Sequence, residues 1–447
     1  MPADNDVHEN GRGAPPTLPA ASGHVNGRGV AFAAMIVIYG LAYFQRTGIP
    51  GTIFDELQHD FQLKASAVTA LGSVFVYVYA SLQLLAGMAA DWYGGRKTLM
   101  FGSLIMCIGA ALFPAAHSAG TLFASRILIG FGSSFVYLSI VKEVDTLFAP
   151  KHFAGLLGLS MLASYIGNVA ATLPFERAVH AVGWRTSLGA VAGMTILAVA
   201  VAGIVLSRLP PSHTEPARLS LQPIWDVLRN QRSRPILICG LINFPIVFVI
   251  QGVLGKKFLQ DVAGMSSAGA ATFVLVMGCV CGASALCGGP ALRWTQQRRK
   301  PIVLIATLAI LAAAGLMFTA VLIRASGWVY LVSYALLAFS IIGLPANSAI
   351  MKELNRPDTV AATISVLNTV VYVGVGILGN VTGSILDRFA NQSQLSGERV
   401  VYPPAAYATL FGLLTILALI STLITLFQIP ETHGRAVTLQ DIERDWT

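Results

Sequence analysis

The stretch Gly87-Met88-Ala89-Ala90-Asp91-Trp92-Tyr93-Gly94-Gly95-Arg96-Lys97 is a short polar turn between two long apolar runs, residues 66–88 and 97–116. About 20 mainly apolar residues cross the hydrocarbon core of a bilayer as a helix. Working outward from this turn, ten further runs meet that length: roughly 30–50, 120–147, 153–176, 185–207, 235–256, 267–290, 300–322, 327–351, 358–385 and 405–429. The expected architecture is an all-α membrane protein of twelve transmembrane helices. An even number of crossings puts both ends of the chain on one side.

Composition points to the same solvent. Hydrophobic residues make up 55% of the chain and charged residues 11%, against about a quarter charged in soluble domains. Lipid accepts that much apolar surface. Residues 1–28 are polar and lack the apolar core of a cleavable signal, so the first span is expected to act as its own insertion signal. The loops on the side of the tail carry fourteen Lys and Arg, and those on the other side carry eight. The positive-inside rule then predicts cytoplasmic termini. A net charge of +8 distributed in this way follows topology, with no basic aromatic face for nucleic acid. The cysteines, Cys107, Cys239, Cys279, Cys281 and Cys287, fall in apolar runs without metal-ligand spacing and read as small core residues.

The longest internal polar stretch, Ser207 to Pro235, falls between the sixth and seventh spans and carries Pro210-Pro211 and several Arg. It predicts a tail (1–28), a six-helix bundle (29–207), a linker (208–234), a second six-helix bundle (235–430) and a second tail (431–447). The bundles echo each other: Gly289, Arg293, Arg298 and Arg299 repeat the spacing of Gly87, Asp91, Arg96 and Lys97. Such a parallel repeat is expected of two pseudo-symmetric halves with a binding site between them.

The turn at Gly87–Lys97 resembles the signature loop between the second and third helices of the Major Facilitator Superfamily, with Gly95 at a usually basic position. The resemblance implies a conformational latch. Gly87 would let two helices approach closely, Asp91 would accept hydrogen bonds across the bundle interface, and Gly94, Arg96 and Lys97 would form the tight turn. Leu122-Phe-Ala-Ser-Arg126-Ile-Leu-Ile-Gly130-Phe-Gly132 resembles the fourth-helix pattern of the same superfamily, where the Arg is linked to proton coupling. Arg126 reads either in that way or as a side chain snorkelling to the surface. Gly183-Trp184-Arg185 resembles the turn before the sixth helix.

Arg46 carries the substrate reading. A charge at membrane depth costs about 2.5–3.5 kcal/mol on insertion scales and normally faces a cavity; outward snorkelling is the alternative. Tyr39, Tyr43 and Arg46 share one helical face, as do Tyr79 and Gln83. The segment Tyr39-Gly-Leu-Ala-Tyr43-Phe-Gln-Arg46, followed by Pro50, resembles the first helix of organophosphate antiporters and organic-anion symporters, which implies that Arg46 binds a phosphate or carboxylate. Gln83 stands where the phosphate exchangers have a Lys, which turns the expectation from a phosphate dianion toward a carboxylate. Gln251 is a further candidate in the second bundle. Lys256 and Lys257 either complete the anion site or, on the plainer reading, sit in water at the outer surface. Lys142, Glu143 and Asp145 are expected as a solvated or mutually paired cluster, with Lys142 within reach of the cavity floor and a candidate for coupling. Asn243, Asn347, Asn368 and Asn380 read as interhelical hydrogen-bond formers that also offer donors to a solute.

No phosphate-binding glycine loop, catalytic triad or metal spacing is present, so no enzyme activity, metal or cofactor is expected. The sequence is read as a secondary transporter of a small organic anion, coupled to an ion gradient with a proton as the expected ion. Two alternatives stay open: an exporter of drugs or amphiphiles, and a membrane sensor that binds solute without moving it.

Overall fold

The computed structural model describes residues 25–209, 222–296, 298–356 and 359–434. Most of both tails and the centre of the linker lie outside the described residues. Among those described, twelve helices are long and apolar enough to cross a membrane. The first half contains α1 (Val25–Gly48), a short α2 (Phe54–Phe61), α3 (Ala65–Tyr93), α4 (Gly95–Leu112), α5 (Ala119–Leu147), α6 (Pro150–Ala170) continued by α7 (Leu173–Val182), and α8 (Trp184–Ser207). The short α9 (Gln222–Arg229) precedes the second half. There α10 (Arg234–Val249), a π turn (Ile250–Leu254) and α11 (Gly255–Val262) form one span, and α12 (Ser267–Trp294) and α13 (Lys300–Ile323) follow. Next come α14 (Gly327–Phe339), a 3-10 turn (Ser340–Gly343) and α15 (Leu344–Glu353), then α16 (Val360–Arg388) and α17 (Pro404–Phe427), with a hairpin of β1 (Gln394–Ser396) and β2 (Arg399–Val401) between the last two helices. We call the side where α1 begins and α17 ends the terminal side, and the opposite side the far side.

Two spans depart from the sequence reading. The fifth is broken at Ala171–Thr172 because Pro174, in the first turn of α7, cannot donate the N–H that would continue α6. The seventh runs past residue 256 to Val262 because Lys256 and Lys257 are buried, at 6% and 1% exposure, and are not solvated as the plainer reading had them.

The two halves meet along a seam of small residues on the far side. Gly376, Gly379 and Gly383 form a stripe on α16 facing Tyr77, Ser73 and Thr69 of α3. A Cβ at Gly379 would lie 2.7 Å from Ser73 Oγ, and one at Gly383 would overlap Thr69 and come within 2.6 Å of Ser66 Cα. Backbones approach this closely only where side chains are absent. Beyond the end of α1, Gly51 makes the same close approach, since its Cβ would lie 2.7 Å from the carbonyl oxygen of Gly252 in the π turn.

The signature turn closes the terminal side of the first half. Gly94 has φ +85°, a conformation that favours glycine. Gly95 has no room for a side chain, because a Cβ would sit 2.6 Å from Ser139 O; this is why the turn lacks the usual basic residue there. The N–H of Arg96 donates to Glu143 Oε1 at 2.7 Å, so a carboxylate caps the N-terminus of α4. The Arg96 side chain donates to Leu209 O at 2.9 Å, and Lys97 is exposed. Asp91 pairs with Lys142 of α5 at 2.8 Å. That contact lies within one bundle, whereas the sequence reading had Asp91 bonding across the bundle interface. Lys142 is therefore held at the turn and is absent from the cavity wall, and Glu143 is fully buried rather than solvated. Gly87 is no point of close approach either, since a Cβ there would meet Leu138 at an ordinary 3.5 Å. The echo in the second half is physical: the N–H groups of Arg299 and Lys300 donate to Glu431 at 2.8 and 3.1 Å, and the Arg299 side chain pairs with Glu353 at 2.9 Å. Burial opposes the charge on Glu431, but those N–H donors, with that of His433, outweigh it and hold its pKa below the ordinary carboxylate value.

Arg126 does not snorkel, and among the described residues no carboxylate pairs with it. It is 0% exposed and donates to three backbone carbonyls: Leu71 at 3.0 Å, Gln45 at 2.9 Å and Ile49 at 3.2 Å. The last carbonyls of a helix lose their intrahelical donors, and Pro50 cannot donate to the carbonyl of Arg46 between the two that Arg126 reaches. Arg126 satisfies the end of α1 and ties it to α3 and α5, which fixes the height of Arg46.

Arg126→Lys should keep the charge but cannot reach three carbonyls on two helices. The loss of two charge-assisted bonds should cost about 3 kcal/mol, read as a lower unfolding temperature of the detergent-solubilised protein; an unchanged temperature would remove the capping role. Gly383→Leu should prop the seam apart. A cysteine placed at the buried Ile53 should then react several-fold faster with an impermeant maleimide from the far side, and equal rates would show that the seam does not depend on close contact.

Candidate functional site

A cavity of about 460 Å³ lies between the halves, within the size range of small-molecule sites. It is built on helix interruptions. Tyr43, Arg46 and Thr47 come from the last two turns of α1, Gln251 from the π turn, Asn347 from α15 just past the 3-10 turn, and Asn168 from the end of α6 before its break. Phe244 and Phe248 of α10 and Asn368 and Tyr372 of α16 complete the second-half wall.

Arg46 is 6% exposed. One Nη donates to the Tyr372 hydroxyl at 2.9 Å, and its guanidinium carbon lies 4.9, 5.0 and 4.8 Å from the ring centres of Tyr43, Phe248 and Tyr372. The electron-rich faces of the rings hold the cation. Among the described residues no carboxylate lies within ion-pair distance of it. Among the described residues Arg46 is also the one charged side chain in the cavity wall. A planar fork with donors to spare and without a counter-ion among the described residues is built to receive an anion.

Of the residues expected from sequence, Tyr43, Arg46 and Gln251 line the cavity; Tyr39, Tyr79 and Gln83 do not. Tyr39 packs behind Tyr43, stacked on Tyr137 at 5.4 Å. Tyr79 stacks on Phe75 and meets Tyr372 edge-on at 5.1 Å, so it supports the cage from outside. Gln83 lies one turn below Tyr79, also outside the wall. Asn380 bonds to Tyr77 at the seam, at 3.4 Å. The sequence reading missed Asn168 and Phe248 of the wall and, at the centre of the site, Tyr372. Its spacing of four from Asn368 puts both on one face of α16, which was the available signal.

The far side of the cavity is shut by an ion network spanning both halves. Lys256 of α11 pairs with Glu176 of α7 and donates to Thr52 O at 2.6 Å. Lys257 lies 2.7 Å from Asp55 of α2 and 3.0 Å from Asp261. Arg399 of the hairpin reaches the same two acids at 3.0 and 3.2 Å. Tyr407 donates to Asp261 at 2.7 Å and Gln58 to Tyr402 at 3.1 Å. Glu56 stands beside these groups with a buried Oε2 that no donor meets. The cavity lies on the terminal side of this closure, and its wall extends to Gly240, Ser348 and Leu367 in the terminal halves of their helices.

The Major Facilitator Superfamily profile matches residues 35–379. An uncharacterised MFS-type transporter of Burkholderia mallei is 30% identical over 196 residues, 40% of this chain and 46% of the relative. Sugar carrier protein C of Ricinus communis is 28% identical over 166 residues, 36% of this chain and 31% of the relative. The probable sulfoacetate transporter SauU of Cupriavidus necator is 28% identical over 175 residues, 38% and 40%. Each match thus spans less than half of the relative. Among solved structures, a bacterial homologue of the human lysosomal transporter Spinster, inward-facing and unoccupied, superposes with a TM-score of 0.72 at 17% identity, covering 91% of this chain and 98% of that one. The profile match across most of the chain, the twelve spans and the cavity shared between two halves agree: the chain belongs to the Major Facilitator Superfamily.

Proposed function

We propose that the protein moves a small organic anion, a carboxylate, across the cell membrane by alternating access, with its terminal side in the cytoplasm. The observation that carries this is Arg46, a buried guanidinium in the cavity wall with spare donors and, among the described residues, no acidic partner. The named relatives support both an anion and a neutral sugar as superfamily solutes, one being named for sulfoacetate and one for sugar; the lone cation in the wall favours the anion. With the far-side network shut, the form described is the one that exchanges solute with the cytoplasm.

A proton is the coupling ion in this reading, and the far-side network offers its carrier. Lys256, Lys257 and Arg399 face Asp55, Glu56, Glu176 and Asp261, one acid more than there are bases. Burial raises the pKa of Glu56; Lys256 pulls it down in part, while Asp55 and Glu176 add to the rise. A carboxyl with a higher pKa in the shut form binds more protons there than when open to water. The shut form therefore gains stability as pH falls from the raised value toward the ordinary carboxylate range.

In proteoliposomes, Arg46→Ala should nearly abolish solute binding, a loss of about 3–5 kcal/mol. Arg46→Lys should lose less, and Tyr372→Phe about 1 kcal/mol. Gln83→Ala, outside the cavity wall, should leave affinity unchanged. Parental uptake by a correctly inserted Arg46→Ala protein would end the anion reading. Glu56→Gln should flatten the pH dependence of uptake while leaving solute exchange intact; an unaltered pH profile would place the proton elsewhere.

A further inference from the structure

Resting on the anion reading above, we infer that the solute is a monoanion bearing several hydroxyl groups, a polyhydroxylated monocarboxylate. The charge of the cavity wall sets the first half of this statement. Among the described residues Arg46 contributes the single formal charge of the wall, so one carboxylate is neutralised. A second would remain uncompensated between the rings of Tyr43, Phe248 and Tyr372, and burying an unpaired charge is prohibitive.

The second half comes from the amides. Asn168 Oδ1, Asn243 Oδ1 and Asn347 Oδ1 are buried acceptors without a protein donor, and Gln251 Nε2 is a buried donor without a protein acceptor. All four side chains line this cavity. They project from α6, α10, α15 and the π turn, so they surround the bound molecule from both halves of the protein. Buried polar groups in folded proteins are nearly always paired, and four orphans on one cavity mark what the ligand supplies. An amide presents one acceptor and one donor whichever way it is turned. A hydroxyl matches it, since it donates and accepts at one atom. An alkyl carboxylate could accept from Gln251 Nε2 but would leave the three amide oxygens unpaired, since it has no hydrogen to donate. A neutral polyol would satisfy them and leave Arg46 without its anion. A molecule with a carboxylate at one end and a row of hydroxyls along its length meets both demands.

The test measures equilibrium binding to the purified full-length protein in detergent, followed by uptake into proteoliposomes, with four probes of equal carbon number: gluconate, hexanoate, glucitol and glucarate. Gluconate should bind best, and each other probe about tenfold more weakly or worse, as expected for the loss of one or more buried partners. Asn243→Leu and Asn347→Leu should weaken gluconate about tenfold while leaving hexanoate unchanged or improved, which separates lost recognition from lost folding. Hexanoate binding as well as gluconate would overturn the hydroxyl inference and leave the anion reading standing. Glucarate binding better than gluconate would overturn the single charge. Glucitol equal to gluconate, and indifferent to Arg46→Ala, would overturn both readings. Failure of the folded parent protein to bind gluconate would overturn this proposal alone.

Discussion

Backbone that leaves helical geometry inside a membrane must find its hydrogen bonds within the protein, and the structure is organised around the places where this happens. α1 stops ahead of Pro50, α6 breaks at Ala171–Thr172, the seventh span passes through a π turn, and the tenth through a 3-10 turn. Side chains from elsewhere in the fold cap three of these breaks. Arg126 bonds to Gln45 and Ile49 at the end of α1. The Thr52 hydroxyl donates to Ala171 O at 2.7 Å, and Tyr334 donates to Gly255 O at 2.8 Å beside the π turn. Each cap comes from another part of the fold, so the breaks hold the bundle together as well as interrupting its helices. They also aim side chains inward that a regular helix would carry past the cavity. Interrupted helices around a binding site are a known arrangement in transporters.

Charge is used differently at the two membrane faces. On the terminal side, acids cap helix starts: Glu143 under α4 and Glu431 under α13. These are local contacts within one half, and the shared placement shows the sequence echo at work in three dimensions. On the far side, acids and bases from opposite halves interlock, Glu176 with Lys256 and Asp55 with Lys257 and Arg399. The first set shapes each half, whereas the second joins them. Only the second must be undone if the halves are to part there.

Much of this was legible in the linear chain. Apolar length located the spans, because hydrocarbon thickness is a one-dimensional constraint. Arg46 was legible because a charge in such a span is expensive wherever it points. What could not be read was pairing between distant segments. Lys256 and Lys257 look like a solvated helix end until Glu176 and Asp55 are brought to them. Arg126 looks like a snorkelling residue until the broken end of α1 lies beside it. Tyr79 and Gln83 have the spacing of a cavity face, yet that face of α3 packs behind Tyr372 rather than on the cavity. Periodicity tells which residues share a face, but only packing tells what the face meets.

The far-side closure also has an electrical consequence. A cavity on the terminal side of a tight seam brings the conducting solution deep into the protein, so the membrane potential falls mainly across the thin layer that is shut. Lys256, Lys257, Glu176 and Asp55 lie in that layer. Moving one elementary charge through the full potential is worth about 2.3 kcal/mol per 100 mV. Any rearrangement that carries these side chains, or a proton among them, from one aqueous face toward the other is therefore biased by voltage, and the closure doubles as the element of the protein that feels the electric field.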